Sequence, residues 1–211
     1  MQHIDFYLDF ISPYAHLAFE ELPRALEGLG YDVAYRPILF AGLLKHHGQL
    51  GPAEIAPKRD WTYRHVRWQA DALGVRLDLP AAHPFNPLAL LRLAWAAARP
   101  GSTPNRFVCE TVLRHVWHGG AAADDAARLA QLTEALAPAR DAGSDAVKQQ
   151  LKDATQAALA AGVFGVPSFV ADGRVFWGLD ALPMLRAQLE GDARIDQAWA
   201  AAASVAQGVR R

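Results

Sequence analysis

Two segments of the chain combine residue types that can do chemistry. The first is Ile11-Ser12-Pro13-Tyr14-Ala15. Serine before proline marks a helix start, because serine caps free N–H groups and proline fits the first helical turn. At that point unpaired backbone N–H groups and the helix dipole favour an anion. If the anion were a thiolate, the Ser12 hydroxyl would add a hydrogen bond, and the thiol pKa would fall from roughly 8.5 toward neutrality or below. The plainer alternative is that Ser12 is only a cap. A serine nucleophile of the Ser-His-Asp kind is disfavoured, since no Gly-x-Ser-x-Gly turn surrounds Ser12. His16, one helical turn on, is expected on the helix surface. The second segment is Gly165-Val166-Pro167-Ser168-Phe169. A proline ahead of a short strand suits a cis peptide in a tight turn. Such a turn leaves the N–H and C=O of Val166 open to an extended peptide, which would pair as an added strand. The alternative is an ordinary trans X-Pro loop.

These segments need elements to hold them. Residues Ile4 to Phe10 alternate, with Ile4, Phe6, Leu8 and Phe10 on one side and Asp5, Tyr7 and Asp9 on the other. Period two predicts a strand, and the acids predict a second face that is only partly buried. Leu17, Phe19, Leu22 and Leu26 follow at roughly helical spacing, and Gly28 and Gly30 stop the helix. Asp32 to Leu39 reads as a second, parallel strand, with Pro37 marking its end or a sheet edge. From about Gly42 to Gly162 no strand pattern occurs, and alanine is abundant. Helices are expected over Asp60–Leu73, Pro87–Ala98, Pro104–Trp117, Asp124–Leu136 and Ser144–Ala161. Strands return at Ser168–Val170 and Val175–Trp177, joined by the hairpin signal Asp172-Gly173. Asp180 is placed to cap a helix from Ala181 to Leu189. A last helix spans Ile195 to Val205.

Composition narrows the function. The chain has 211 residues, with 21 Lys+Arg against 22 Asp+Glu, so the basic excess of a nucleic-acid protein is missing. Apolar residues make up 52%, enough for a proper core and against intrinsic disorder. No charge-free stretch of about twenty residues suggests a membrane span, and the N-terminus has no secretory pattern, so a cytoplasmic location is expected. The single cysteine, Cys109, forms neither an intramolecular disulfide nor a Cys-x-x-Cys couple and is expected to be a buried apolar residue. His46-His47 looks metal-like only superficially, because adjacent helical side chains do not face one another; no metal is expected. Trp61, Trp68, Trp95 and Trp117 are expected mostly in the core, with one or two lining a pocket.

The order of these pieces resembles a thioredoxin-type fold with a helical insert. Ser12-Pro13-Tyr14-Ala15 stands where that fold carries Cys-x-x-Cys. The chain is similar to the serine-bearing branch, the 2-hydroxychromene-2-carboxylate isomerases and kappa-class glutathione transferases. The match is carried by Asp9-Phe10-Ile11-Ser12-Pro13-Tyr14, by Ala161 to Phe169, by Phe176-Trp177-Gly178-Leu179-Asp180 and by Leu182-Pro183. Arg36-Pro37, Leu43-Leu44-Lys45 and His83-Pro84-Phe85-Asn86-Pro87 agree in the middle. The fold class expected is α/β, with a thioredoxin-like domain from residues 1–40 plus 163–211 and an α-helical insertion domain over 41–162.

The resemblance implies glutathione as a cofactor. Ser12 would hold its sulfur as thiolate, and Val166, beside a cis Pro167, would pair with its backbone. Trp177, Gly178, Leu179 and Asp180 would meet its γ-glutamyl end. The substrate implied is an aromatic-derived keto acid closed as a cyclic hemiketal. A thiolate adding to the β-carbon makes the double bond single, permits rotation and leaves by elimination. The enolate formed needs a positive or hydrogen-bonding partner. Lys45 is the candidate for it or for the carboxylate, against the reading of a solvated surface lysine. Pro13 and Tyr14 complete the substrate side. Asn86, between two prolines, is either a polar contact or a turn residue. Relatives often carry Gly-Asn where this chain has Gly48-Gln49, so the longer amide of Gln49 would shift any contact by about 1.5 Å. The implied function is interconversion of 2-hydroxychromene-2-carboxylate and trans-o-hydroxybenzylidenepyruvate, or a related ring-cleavage acid, with naphthalene-type breakdown as the setting. The runner-up is a kappa-like glutathione transferase, followed by a non-catalytic binding module. A homodimer is the expected assembly.

Overall fold

In a computed structural model that describes residues 1–206 and 208, four strands form one sheet in the order β2-β1-β3-β4. The tail residues 207 and 209–211 of the 163–211 unit lie outside the described residues. Strand β1 (Gln2–Leu8) pairs in parallel with β2 (Tyr31–Pro37), from Gln2 opposite Tyr31 to Leu8 opposite Pro37. Strand β3 (Ser168–Ala171) runs antiparallel to β1, and β4 (Arg174–Trp177) antiparallel to β3. Pro37 ends the edge strand, where a missing N–H is harmless. Asp172 and Gly173 both have positive φ, as a tight hairpin requires.

The alternation in β1 sets its register. Ile4, Phe6 and Leu8 are all fully buried. Phe6 lies opposite Phe169, and Phe169 opposite Phe176, so one apolar row crosses three strands. On the other face Asp5 accepts a 2.6 Å hydrogen bond from Arg36 in β2. Asp9 departs from the expectation of a partly exposed acidic face: it is completely buried. The strand ends at Leu8, and the chain turns so that the Asp9 carboxyl accepts from backbone N–H groups instead of facing solvent.

Helix α1 (Pro13–Ala25) lays Leu17, Ala18, Phe19 and Leu22 into the core. His16, expected on the surface, is buried. The loop after the third helix covers that side of α1, and the His16 Nε2 donates to the Arg76 carbonyl at 2.9 Å. Periodicity within α1 cannot report a covering that comes from sixty residues away.

Between β2 and β3 the chain is helical: α2 (Phe40–His47), α3 (Ala56–Leu73), α4 (Leu88–Ala97), α5 (Arg106–Trp117), α6 (Ala126–Leu136) and α7 (Asp145–Ala160). Helix α2 has no counterpart in the sequence-based reading. It is eight residues long, lacks a side-chain cap and buries only Leu43. The others begin close to their capping signals, and Asn105, Asp125 and Ser144 each accept the N–H three residues on. Two indoles tie this block to the edge strand β2 and to the turn after β1. Trp95 donates to the Pro37 carbonyl at 2.9 Å, and Trp117 to the Phe10 carbonyl at 3.0 Å. Trp61 and Trp68, by contrast, are 63% and 68% exposed, so half of the expected tryptophan core is surface. Buried side chains of the sheet and of these helices form one continuous cluster. Among the described residues no helix is long and apolar enough to cross a membrane.

Trp117 is fully buried, and its N–H satisfies the carbonyl of Phe10, two residues before Ser12. Trp117→Phe is expected to lower unfolding stability by roughly 1–3 kcal/mol, because a buried carbonyl loses its donor. Urea denaturation reads this directly; an unchanged midpoint at unchanged slope would mean that the carbonyl finds another donor.

After β4 a short 3-10 turn (Leu179–Ala181) leads into α8 (Leu182–Leu189), and α9 (Ala193–Ala203) follows. Asp180 does not cap α8. It lies inside the 3-10 turn, and Ala181 holds the cap position without a side-chain bond.

Candidate active site

The end of β1, the start of α1 and the entry to β3 converge on Ser12. Ser12 is the N-cap of α1, and its hydroxyl oxygen accepts the Ala15 N–H at 3.2 Å. The same hydroxyl lies 3.5 Å from the Val166 carbonyl, a long and weak contact from which it can turn. The peptide between Val166 and Pro167 is cis. Two sequence segments 154 residues apart are thus in contact. Among the described residues the Val166 N–H has no backbone partner, and the residue itself is buried.

The second half of the site hangs from Pro167. Its carbonyl accepts the Gly178 N–H at 2.9 Å, which fixes the turn after β4 against the cis-proline loop. Gly178 has φ near 101°, a conformation that favours glycine. Trp177 is exposed and its ring packs on Phe164 at 5.0 Å, against the open side of Gly165. Leu179 is buried and Asp180 exposed. Leu179 and Asp180 line a groove of about 430 Å³ with Trp68 of α3 and Pro183 of α8.

Two further groups steady this centre. Asp9 accepts the Ile11 N–H at 3.1 Å and the Phe40 N–H at 2.9 Å, so one carboxyl joins the Ser12 loop to the start of α2. Burial raises its pKa to about 7, against the lowering effect of those N–H groups. His83 Nε2 donates to the Ile11 carbonyl at 2.8 Å, and Tyr63 is within 2.8 Å of His83 Nδ1. Asp9 and His83 both stand in the motifs that carry the resemblance, but the sequence assigns neither a role. A carboxylate three residues before the serine was a visible signal; the His83 contact, 72 residues away, was not.

Of the other expected residues, Pro13 is buried at the first position of α1, and Tyr14 follows it, half-buried. Lys45 is exposed in the last turn of α2, and Gln49 is exposed just beyond it. Neither side chain makes a hydrogen bond to Ser12 or the cis-proline loop among the described residues. Asn86 is exposed, and its side-chain oxygen accepts the Leu88 N–H at 3.1 Å, which is the turn role. Cys109 is completely buried, and burial pushes its thiol far above the ordinary range, so it is no nucleophile. No cluster able to hold a metal ion occurs among the described residues.

A serine at a helix start facing a cis-proline loop, on this sheet order, is a thioredoxin-type centre without its cysteines. The sequence profile of the DSBA-like thioredoxin domain matches residues 3–190. The chain belongs to this family. One relative of this DSBA-like domain is the 2-hydroxychromene-2-carboxylate isomerase of Sphingobium xenophagum, 30% identical over 193 residues, covering 88% of this chain and 97% of that protein. Another is glutathione S-transferase kappa 1 of Rattus norvegicus, 25% identical over 203 residues, covering 86% of this chain and 88% of its own. Among solved structures, a 2-hydroxychromene-2-carboxylate isomerase superposes with a TM-score of 0.78 at 25% identity, over 93% of this chain and 98% of that one. The α/β thioredoxin-type fold and the resemblance to the isomerases and kappa-class transferases are therefore borne out.

Proposed function

We propose that this protein is a glutathione-dependent cis-trans isomerase that interconverts 2-hydroxychromene-2-carboxylate and trans-o-hydroxybenzylidenepyruvate, or a closely related ring-cleavage keto acid. The observation that carries this reading is the contact of Ser12 with the Val166–Pro167 loop. It combines a loosely held hydroxyl at a helix N-terminus with an unpaired backbone N–H, which is what a thiol-bearing peptide needs. The isomerase relative, covered almost end to end, supports the same assignment.

Bound glutathione supplies a thiolate nucleophile that lets the substrate's double bond become single and rotate. The chain's own residues do the rest. Ser12, the Tyr14 N–H and the dipole of α1 hold negative charge on sulfur and keep it deprotonated near neutral pH. Val166 aligns the peptide backbone. Trp177, Gly178, Leu179 and Asp180 hold the γ-glutamyl end, with the Asp180 carboxylate taking its ammonium. Pro13 and Tyr14 face the substrate at the junction with the helical block, where Lys45 and Gln49 complete the carboxylate side. In this reading residues 1–40 plus 163–211 form the glutathione-binding unit and 41–162 the insertion, and the resemblance implies a homodimer.

Calorimetry with glutathione, together with ultraviolet absorbance of the bound thiolate at neutral pH, tests the cofactor. Saturation with thiolate present is expected. Turnover of the hemiketal acid at constant glutathione concentration distinguishes the isomerase from a kappa-like transferase, which would consume the thiol. No binding at millimolar glutathione would overturn both and leave a non-catalytic binding module.

A further inference from the structure

Tyr14 and His65 make a contact that the roles above do not use. Tyr14 stands in the first turn of α1, two residues after Ser12, close enough to Asp180 to feel its charge. Its hydroxyl lies 2.8 Å from His65 Nδ1, across the gap between α1 and α3. Burial, and then the charge of Asp180, push the Tyr14 phenol pKa up from its ordinary value. The His65 ring stacks nearly parallel to two indoles on its own helix, Trp61 at 5.7 Å and 13° and Trp68 at 6.4 Å and 10°. Both indoles are exposed. The ring thus meets Tyr14 through Nδ1 while remaining partly exposed to solvent.

We infer that Tyr14 and His65 form a proton relay for opening the cyclic hemiketal, with Tyr14 touching the substrate and His65 acting through it. This rests on the isomerase reading and names the groups that handle its proton. The hemiketal hydroxyl gives its proton to the Tyr14 oxygen as the Tyr14 proton passes to His65 Nδ1. The electron pair of the breaking O–H bond forms the new C=O. The ring C–O bond breaks, and its electron pair stays on the phenolic oxygen. The proton then returns from His65 through Tyr14 to that oxygen. One proton leaves a hydroxyl and one arrives at a phenolate, so no outside acid or base is consumed. His65 is a positioning residue here and Tyr14 a catalytic one. A general acid-base pair of this kind contributes about 10²–10⁴-fold.

The test uses Tyr14→Phe, His65→Ala and His65→Gln beside the parent protein. All are assayed for glutathione binding and for turnover of the hemiketal acid. Tyr14→Phe and His65→Ala are expected to lower kcat about a hundredfold, with KM and glutathione Kd changed less than about twofold. Added imidazole is expected to restore much of the His65→Ala rate and none of the Tyr14→Phe rate. His65→Gln can keep a hydrogen bond to Tyr14 but cannot take up a proton, so it is expected to stay slow. A His65→Gln variant at the parent rate, or a His65→Ala variant without imidazole rescue, would overturn the relay and leave a structural contact. A parent that neither binds glutathione nor turns over the hemiketal acid would instead overturn the isomerase reading itself.

Discussion

Ser12→Ala is expected to slow turnover at neutral pH by up to about 10–100-fold, the loss of thiolate that a rise of one to two pKa units brings. The fold should survive. Alanine gives up the hydroxyl that caps Ala15 N–H, a loss of roughly 0.5–2 kcal/mol, while the helix keeps Pro13 and its packing. The larger effect is electrostatic. A hydrogen bond to a charged group is worth about 1.5–3 kcal/mol, so losing it raises the bound thiol's pKa by about one to two units. Less thiolate is then present near pH 7. Raising the pH restores it, so the deficit should narrow on the alkaline side. A pH-rate profile with parallel absorbance of the thiolate measures both effects. A profile whose ascending limb sits where the parent's does would show that Ser12 does not hold the sulfur, whatever the rate.

The parts of the site that could be read from sequence are those whose chemistry is local. Ser12-Pro13 declares a helix start within two residues, and Gly165 to Phe169 declares a turn into a strand within five. The juxtaposition of Ser12 with Val166 needed the fold, and the motif order supplied it through the resemblance. What stayed hidden depends on distant covering. His16 is buried because the loop at Arg76 lies over α1. Asp9 is buried because the start of α2 closes on it, and α2 itself was too short and too poorly capped to show. Trp61 and Trp68 fit a core pattern on α3, yet that face is open, and their role is read only once His65 is seen stacked with both. Asp180 sits in the residue order of a cap but in the geometry of a 3-10 turn.

Asp9 and His16 are the two buried titratable groups beside the Ser12 loop, and they are expected to pull the stability of the protein in opposite directions with pH. Burial raises Asp9 from 3.8 to about 7 and lowers His16 from 6.5 to about 4. Between 3.8 and about 7 the native Asp9 holds a proton that the unfolded chain has released. Stability from Asp9 therefore falls as pH rises, by about 1.4 kcal/mol per unit in the middle of that window. Between about 4 and 6.5 the unfolded His16 is protonated and the native one is not. Stability from His16 therefore rises with pH at a similar slope. The two slopes nearly cancel over the shared window. Asp9→Asn removes one of them. It also leaves one of the two N–H groups, Ile11 or Phe40, facing an amide NH₂, which lowers stability by roughly 1–3 kcal/mol at every pH. The slope is the diagnostic quantity. Relative to the parent, the variant should gain about 1.4 kcal/mol per pH unit between about pH 4 and 7. His83, His115 and His118, which burial also lowers, are present in both proteins and drop out of the difference. Urea unfolding at several pH values across that window gives the result. Parallel curves for variant and parent would mean that Asp9 ionises in the native state as readily as in the unfolded chain, with its N–H donors fully offsetting its burial.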